Sequence, residues 1–438
     1  MKKRAFAFLA AFLLLGSMAA FANGQKEGSS ASAGPVTLHI GQSTVGSGLT
    51  QLKEELAMWE KQTGNKVDIV TVPNSTTDDL ALYQQQLAAG SSSMDVFQID
   101  VIWPSILGSY FLDLKKYIPE SEIAKFFPRI VANDTYEGKL IAIPWFTDAG
   151  LLFYRTDLLQ KYGYSQPPKT WQELTDMAKK IQAGERAAGN SNFWGYVWQG
   201  AAYEGLTCDA LEWIFSYGGG TIVDSSGKVT IDNPQAVEAL NLAASWVGTI
   251  SPPGVTGYME EDSRGVWQGG NAAFMRNWPY AYSLGEASDS PIKGKFDIAP
   301  LPMGSGSMAQ GADTLGGWNL AVSRFSKYPK EAASLVQFLT SSSIELERAL
   351  PPYSNLPTRP EVYKDPKLAS SGSSFMVKLL PVFENAIARP STTTKGKYNQ
   401  VSSAFWTSVH NVLTGQEKAA PALQALASQL NSIKGSAW

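Results

Sequence analysis

Residues 36–99 read VTLHIGQSTVGSGLTQLKEELAMWEKQTGNKVDIVTVPNSTTDDLALYQQQLAAGSSSMDVFQI, and this stretch alternates strand-like with helix-like segments. The strand-like segments are short and apolar, whereas the helix-like ones repeat apolar residues every three or four positions. We predict strands at 36–41, 66–72 and 96–99, a helix with Leu49, Leu52, Leu56 and Trp59 on one face that ends at Gly64-Asn65, and a helix at 78–89. This βαβαβ order is typical of a mostly parallel sheet with helices on both faces.

The same alternation restarts after Ile143-Pro144. Thr170 and Glu173 form a T-x-x-E capping box, which predicts a helix running to about Ala183. The other predicted elements are strands at 151–154, 272–277 and 320–323, a helix stopped at Gly163, a helix begun by Asn233-Pro234, and a helix at 330–340. A chain of 438 residues exceeds the usual ceiling of one hydrophobic core, about 250–300 residues. The pattern therefore predicts two α/β lobes joined by several crossings.

The N-terminus has the three parts of a secretory signal. Lys2, Lys3 and Arg4 precede an apolar run at 5–15, and Ala20-Phe21-Ala22 supplies the small residues of a cleavage site. We predict a signal peptide at 1–22 and a flexible leader at 23–35; an uncleaved anchor is the alternative. No later stretch approaches the ~20 apolar residues of a spanning helix. We therefore expect an exported protein, periplasmic or extracellular and soluble, without membrane insertion after signal cleavage.

Composition and charge exclude several classes of function. With 36 basic and 39 acidic side chains and no basic cluster, the chain is a poor candidate for binding nucleic acid or anionic membrane. Its one cysteine, Cys208, lies in an apolar run and is predicted to be a buried, inert thiol. One cysteine permits neither an intramolecular disulfide nor a paired-cysteine metal site.

Catalytic signatures are also missing from the sequence. The two histidines, His39 and His410, are far apart and are predicted to be structural, which excludes histidine-based triads and H-E-x-x-H zinc sites. The glycine spacing at 220–228 is wrong for a phosphate loop. We predict no cofactor, no metal and no catalytic residue, and we do not expect an enzyme.

The remaining chemical signal is a set of clusters that combine aromatic and polar residues. They lie at 100–104, 145–148, 194–199, 277–280, 316–319 and 384–390. A neutral sugar needs both kinds of residue, because its C–H faces stack on aromatic rings and its hydroxyls need strong acceptors and donors. In open α/β sheets such ligands bind outside the strand ends.

Each cluster also has a structural alternative, so the residues alone leave sugar binding open. Asp100 is either a ligand contact or the cap of a turn, and Asp148 is either a ligand contact or structural. Trp194 and Trp198 belong equally to a core or to a site. The segment 316–318 is a bend or a place where a ligand approaches the backbone, and Arg389 binds a ligand or pairs with Glu384.

At these clusters the sequence resembles the trehalose/maltose-binding proteins among the extracellular solute-binding receptors of ABC sugar importers. The likeness covers nearly all of the chain after the predicted signal. It runs through DAGLLFYRTDLLQKYGY (148–164), PPKTWQELTDMAKKIQAGER (167–186), NFWGYVWQGAAYEGLTCDALEW (192–213), GNAAFMRNWPYAY (270–282), DSPIKGKFDIAPLP (289–302), TLGGWNLAVSRFS (314–326) and VFENAIARP (382–390).

The resemblance implies a fold class and a domain division. It implies the two-lobed α/β fold of periplasmic binding proteins (type II-like), in which each lobe is a mostly parallel sheet flanked by helices. The N-lobe would comprise 36–146 plus 316–348, and the C-lobe 147–315 plus 349–438. Three hinge crossings would lie near 145–149, 312–317 and 346–354, with the sugar in the cleft between the lobes.

The resemblance also assigns roles to six residues. Asp100 and Asp148 match hydroxyl-binding carboxylates, and Trp278 matches a stacking indole. Gly317 matches a backbone donor, Trp318 a second aromatic contact, and Arg389 a guanidinium that binds sugar oxygens. The chain departs from the pattern in two places: Gly48 stands where a relative has a sugar-binding Glu, and 74–80 lacks that relative's Arg. These departures leave the choice of disaccharide open.

The function implied is capture of a disaccharide, of trehalose or maltose type, and its delivery to the membrane permease subunits of an ABC importer by a monomer. Two alternatives remain. A glycoside hydrolase also places two carboxylates beside a sugar, but across one glycosidic oxygen. A sugar sensor for chemotaxis would use the same cleft and differ only in its partner.

Overall fold

The computed structural model describes residues 34–438 of the chain. The predicted signal peptide (1–22) and most of the predicted leader lie outside the described residues. The strands are β1 (Thr37–Gln42), β2 (Lys66–Thr71), β3 (Val96–Asp100), β4 (Thr135–Tyr136), β5 (Lys139–Leu140), β6 (Ala142–Ala149), β7 (Leu151–Arg155), β8 (Trp194–Val197), β9 (Ala272–Asn277), β10 (Phe296–Ala299) and β11 (Leu315–Val322).

Helices fill most of the segments between these strands. They are α1 (Gly48–Thr63), α2 (Thr76–Ala88), α3 (Pro104–Leu107), α4 (Glu120–Ile123), α5 (Pro128–Asn133), α6 (Thr156–Lys161), α7 (Trp171–Ala187), α8 (Glu204–Ser216), α9 (Pro234–Trp246), α10 (Glu260–Gln268), α11 (Tyr280–Gly285), α12 (Pro329–Leu339), α13 (Ser342–Ala349), α14 (Pro366–Ala369), α15 (Phe375–Lys378), α16 (Leu380–Glu384), α17 (Ser391–Thr394), α18 (Tyr398–Leu413) and α19 (Ala419–Lys434).

The first sheet contains the three strands predicted from 36–99. Its order is β2-β1-β3-β11-β6, and β1 pairs in parallel with both β2 and β3. Strand β11 is antiparallel to β3 and to β6, so four of the five strands run in one direction. Helices α1 and α2 lie between these strands along the chain, as the periodicity of the sequence predicts.

The second sheet has the order β10-β7-β9-β8. Strand β7 is antiparallel to both of its neighbours, while β8 and β9 are parallel, so three of the four strands share a direction. The prediction of mostly parallel sheets is confirmed for strand direction. Each sheet nevertheless has one reversed strand, β11 in the first and β7 in the second. Because each reversed strand lies between two others, it forms two antiparallel pairings, which are half or more of the pairings in its sheet.

The chain passes between the two sheets at Gly150, which separates β6 from β7, and again just before β11. Gly150 lies one residue beyond the crossing predicted near 145–149, and the second passage lies within the crossing predicted near 312–317. The paired strands β6 and β11 extend across the predicted boundaries at 146/147 and 315/316. The division into lobes itself stays a prediction.

Each sheet is covered by apolar side chains on both faces. Trp198, one of the residues left open between core and site, is completely buried, and its indole nitrogen donates to Ser251 Oγ at 3.0 Å. It belongs to the core with Trp171, Trp213 and Trp246. Burying one large apolar side chain contributes about 1.5–3 kcal/mol, so these four rings are a substantial part of the stability of this region.

Local signals set most of the helix ends. Gly64 has a φ of +77° and ends α1, and the Asn233 side chain accepts the Ala236 N–H at 2.9 Å to begin α9. Thr170 Oγ1 caps α7 by accepting from Glu173 N at 3.1 Å. The predicted end of α7 near Ala183 is wrong, because the helix continues to Ala187. Gly184 lies within it, where the Tyr162 ring leaves no room for a side chain.

The three remaining structural predictions for single side chains agree with their surroundings. His39 lies on β1 with Nδ1 3.5 Å from Asp95 Oδ2, and His410 lies on α18 with Nε2 3.0 Å from the Thr256 carbonyl. Cys208 is buried on α8, and burial raises the pKa of its thiol, so the reactive thiolate is suppressed.

Candidate functional site

One cavity of about 120 Å³ is lined by all six residues that the sequence singled out. They are Asp100, Asp148, Trp278, Gly317, Trp318 and Arg389. Asp100 ends β3 and Asp148 lies in β6, while Gly317 and Trp318 lie on β11 between them. The register pairs Trp318 with Asp100 and Gly316 with Asp148, so three neighbouring strands bring these groups together.

The segment around Gly317 is a strand and not the bend considered from the sequence. Gly317 has a φ of +126°, a conformation that side-chain-bearing residues rarely adopt. A Cβ at this position would lie 2.7 Å from the Phe146 carbonyl oxygen. Glycine therefore allows β11 to lie closely against β6 at the wall of the cavity.

Arg389 is held by two carboxylates inside the cavity. Its Nη2 donates to Asp100 Oδ1 at 2.8 Å, and its Nη1 donates to Glu204 Oε1 at 2.9 Å. The suggested pairing with Glu384 is wrong, because the guanidinium of Arg389 pairs with Asp100 and Glu204 instead. Two carboxylates on one buried guanidinium compensate the cost of burying its charge.

Asp148 presents a carboxyl group with little solvent around it. It is 8% exposed, and its carboxylate takes part in none of the hydrogen bonds formed within 34–438. Burial, and next the charge of Asp100, raise the pKa of Asp148 well above its usual range, while Arg276 opposes that shift. The group is therefore an available hydrogen-bonding partner in a partly desolvated cavity.

The two tryptophans of the cavity are held by different neighbours. Trp278 follows β9, and its indole Nε1 lies 3.3 Å from Glu260 Oε1. The guanidinium carbon of Arg276 lies 4.0 Å from the Trp278 ring centroid. Trp318 packs edge-on against Trp103, with ring centroids 5.5 Å apart. Both rings are half-buried, so part of each reaches the cavity.

Several lining residues were missed in the sequence analysis. Glu204 accepts from Ser402 Oγ at 2.6 Å and from Tyr398; burial raises the pKa of Glu204, against the influence of Arg389. Glu204 directly follows Tyr203 in the sequence. A carboxylate beside an aromatic residue is the same pattern that marks the predicted clusters, so this residue could have been found. Other missed lining residues are Gln42, Asp79, Glu260 and Arg348, whereas Tyr280, which also lines the cavity, belongs to the predicted cluster at 277–280.

Asp79 had no such signal, because it lies within helix α2 among polar residues. It is 2% exposed, and its Oδ1 is buried without a hydrogen-bond partner among the described residues. Burial, and next the charge of Asp100, raise the pKa of Asp79 to about 8. Gly48 and Asn74, where the chain departs from the pattern of its relative, also line the cavity.

Trp194, a metal site and a membrane-spanning helix are the remaining features to compare with the structure. Trp194 is not among the lining residues and stacks under Arg186, whose guanidinium carbon is 4.4 Å from the ring centroid. In the described part of the chain, no group of three or more His, Cys, Asp or Glu could hold a metal ion. Among residues 34–438, no helix has the length and apolar character needed to cross a membrane.

The family of bacterial extracellular solute-binding proteins matches residues 41–344 of this chain. The chain belongs to this family. A similar protein is the "Probable ABC transporter-binding protein" of Deinococcus radiodurans, 54% identical over 403 residues, which cover 92% of this chain and 95% of that one. The resemblance noted in the sequence is thereby confirmed at the level of the family.

Solved structures confirm the two-lobed α/β fold of this solute-binding protein. Maltose-bound MalE3 of T. maritima is 44% identical with a TM-score of 0.86, covering 91% of this chain and 100% of that one. A solute-binding protein of an ABC transporter from Thermotoga lettingae, bound with alpha-D-tagatose, is 25% identical with a TM-score of 0.81, covering 92% and 100%. This family and these neighbours are solute-binding proteins and not enzymes.

Proposed function

We propose that this solute-binding protein captures a neutral disaccharide of maltose or trehalose type for an ABC importer. The observation that carries the proposal is the convergence of two half-buried indoles and an unengaged carboxyl group, Asp148, on one cavity. The 44% identity with a maltose-bound protein, over 91% of the chain, supports the choice of ligand class.

The chemistry of the cavity suits a polyhydroxylated ligand. Trp278 and Trp318 offer flat apolar surfaces for the C–H faces of sugar rings. Asp148 offers a carboxyl group for hydrogen bonds with the hydroxyl groups, and a typical hydrogen bond of this kind contributes about 0.5–1.5 kcal/mol. Asp100 and Arg389, which bind each other, would share their remaining lone pairs and N–H groups with the ligand.

The balance of charge favours a neutral sugar over an anionic one. Five carboxyl groups line the cavity, from Asp79, Asp100, Asp148, Glu204 and Glu260, against two guanidinium groups, from Arg348 and Arg389. Both guanidinium groups are buried, and Arg389 already binds two of the carboxylates. Arg348 is paired with Glu55, whose Oε1 lies 3.2 Å from Arg348 Nε. A sugar phosphate would therefore bring negative charge into a cavity whose two cations both have carboxylate partners already.

The test is calorimetric titration with maltose, trehalose and a sugar phosphate such as maltose 1-phosphate. We expect maltose or trehalose to bind and the phosphate to bind far more weakly. Product analysis after long incubation with maltose should find no free glucose, which separates a receptor from a glycoside hydrolase. Absence of binding to both disaccharides, with folding shown by circular dichroism, would reject the proposal. Delivery to a permease is tested by stimulation of ATP hydrolysis in membranes that contain the importer.

A further inference from the structure

We infer that Arg276 is a positioning residue for Trp278: its guanidinium occupies one face of the indole and leaves the opposite face for a ligand. The inference rests on the proposed function only in taking a sugar as that ligand. Arg276 does not line the cavity and is completely buried, so it acts through the ring and not by direct contact.

Three sides of the Trp278 ring are already occupied. The guanidinium carbon of Arg276 lies 4.0 Å from the ring centroid, which covers one face. The Nε1 edge is 3.3 Å from Glu260 Oε1. The opposite edge lies against Gly316, where a Cβ would be 2.9 Å from Trp278 Cζ3. The half-buried ring therefore has one face left to contact a ligand.

The guanidinium under the ring is fixed by a fully buried network. Arg276 Nε donates to Glu212 Oε2 at 2.9 Å and Nη2 donates to Glu212 Oε1 at 2.5 Å, a bidentate pair. Its Nη1 donates to Gln199 Oε1 at 3.0 Å. The side chains of Arg276 and Glu212 are both completely buried. The guanidinium plane cannot rotate without breaking three hydrogen bonds, so the indole resting on it is held in one orientation.

The same network is tied to the strands that connect the two sheets. Glu212 Oε1 also accepts from Thr314 N at 3.1 Å, immediately before β11. Gly150, between β6 and β7, has no room for a side chain because a Cβ there would overlap Glu212 and Arg276. The Trp278 ring is thus fixed in position relative to Gly150 and Thr314, where the chain passes between the two sheets beside the cavity. A ring that is ordered before binding spares the ligand the cost of immobilising it.

Two measurements on the full chain test this role. The first is the ¹⁹F NMR spectrum of protein labelled with 5-fluorotryptophan, in which loss of a signal in Trp278→Phe assigns the Trp278 resonance. In Arg276→Met, which keeps side-chain length and removes the charge, this resonance should shift and broaden without any ligand. The second is the maltose dissociation constant, which should rise about 3- to 10-fold, the effect of one side chain no longer held in place.

A double-mutant cycle separates positioning from general damage. In a Trp278→Ala background, Arg276→Met should change the maltose dissociation constant less than about twofold, because the ring through which Arg276 acts is gone. Arg186→Met is the matched control, since Arg186 stacks on Trp194 outside the cavity. It should move the Trp194 resonance and leave maltose affinity unchanged.

Clear outcomes would overturn the inference. An unchanged Trp278 resonance with unchanged affinity in Arg276→Met would do so, as would an equal loss of affinity in the Trp278→Ala background. If Arg276→Met does not fold, Arg276→Lys replaces it, because lysine keeps the charge but cannot form the bidentate pair with Glu212. An unchanged Trp278 resonance and an unchanged maltose affinity in Arg276→Lys would then count against positioning by the bidentate guanidinium. If the parent protein binds no disaccharide, the proposed function fails, while the ligand-free Trp278 resonance still decides whether Arg276 positions the ring.

Discussion

Trp278 is the residue on which affinity should depend most. Its free face offers a large rigid surface, and truncating such an anchor typically costs about 2–4 kcal/mol of binding free energy. We expect Trp278→Ala to raise the disaccharide dissociation constant about 30- to 1000-fold in calorimetric titration. Trp194→Ala removes an indole of similar exposure, also stacked by arginine, outside the cavity. Equal effects of the two substitutions would show that the cavity is not the site.

Asp79 should make stability depend on pH in an unusual direction for an acid. Burial raises its pKa in the folded chain to about 8 from the ordinary value of 3.8, so the folded chain holds the proton more tightly than the unfolded chain. That stabilisation is complete below about pH 4 and is lost as pH rises through about 8.

Replacing Asp79 by Asn should remove the loss of stability that Asp79 causes as the pH rises. In urea denaturation, the free energy of unfolding of Asp79→Asn relative to the parent should increase by about 1–3 kcal/mol between pH 5 and pH 8.5. Asp78→Asn is the control, because Asp78 is exposed at the start of α2 and does not line the cavity. If the free energies of unfolding of the parent and of Asp79→Asn differed by the same amount at both pH values, Asp79 would not be a buried, protonated group.

At the scale of elements, the approach of β11 to β6 depends on Gly317. Its φ of +126° and the Phe146 carbonyl 2.7 Å from an added Cβ leave no unstrained position for alanine. We expect Gly317→Ala to lower the free energy of unfolding by about 1–3 kcal/mol. In contrast, Gly265 lies within α10 with open space around its Cα, so Gly265→Ala should stabilise by about 0.5–1 kcal/mol. Thermal melts of both variants check the pair, and a neutral Gly317→Ala would disprove the strain.

The elements show which information the sequence contains locally. The helix end at Gly64 and strand β9 at 272–277 followed from neighbouring residues, because capping and apolar patterning act within one turn or one strand. The first half of β11 was not predicted as a strand. Gly316-Gly317 is typical of a turn, and only its pairing with β6, more than a hundred residues earlier, makes it extended.

The candidate site was predictable in its members but not in their mutual contacts. Glu384 is close to Arg389 along the chain and was the obvious partner. The actual partners, Asp100 and Glu204, are 289 and 185 positions away. Asp79 gave no local signal at all, since a carboxylate in a polar helix is ordinarily solvated and only tertiary packing buries it.

At the scale of the whole molecule, residues of the predicted N-lobe and of the predicted C-lobe meet across the cavity. Arg389 binds Asp100 at the end of β3, and Glu204 N donates to Thr77 Oγ1 on α2 at 3.2 Å. Asp100 and Thr77 fall in the predicted N-lobe, and Arg389 and Glu204 in the predicted C-lobe. A ligand that contacts both groups of residues has its full set of interactions only when they are close together.

Sugar binding should therefore shift the protein toward a closed arrangement of the lobes. A ligand moves such an equilibrium only by its difference in affinity for the two states, and contacts from both sides of the cavity supply that difference. We expect small-angle scattering to give a smaller radius of gyration with saturating maltose or trehalose than without sugar. Trp278→Ala at the same sugar concentration should keep the sugar-free value, because its site is unfilled. A radius of gyration that stays constant while calorimetry proves binding would mean that the lobes are rigid and that the cavity admits its ligand without a hinge motion.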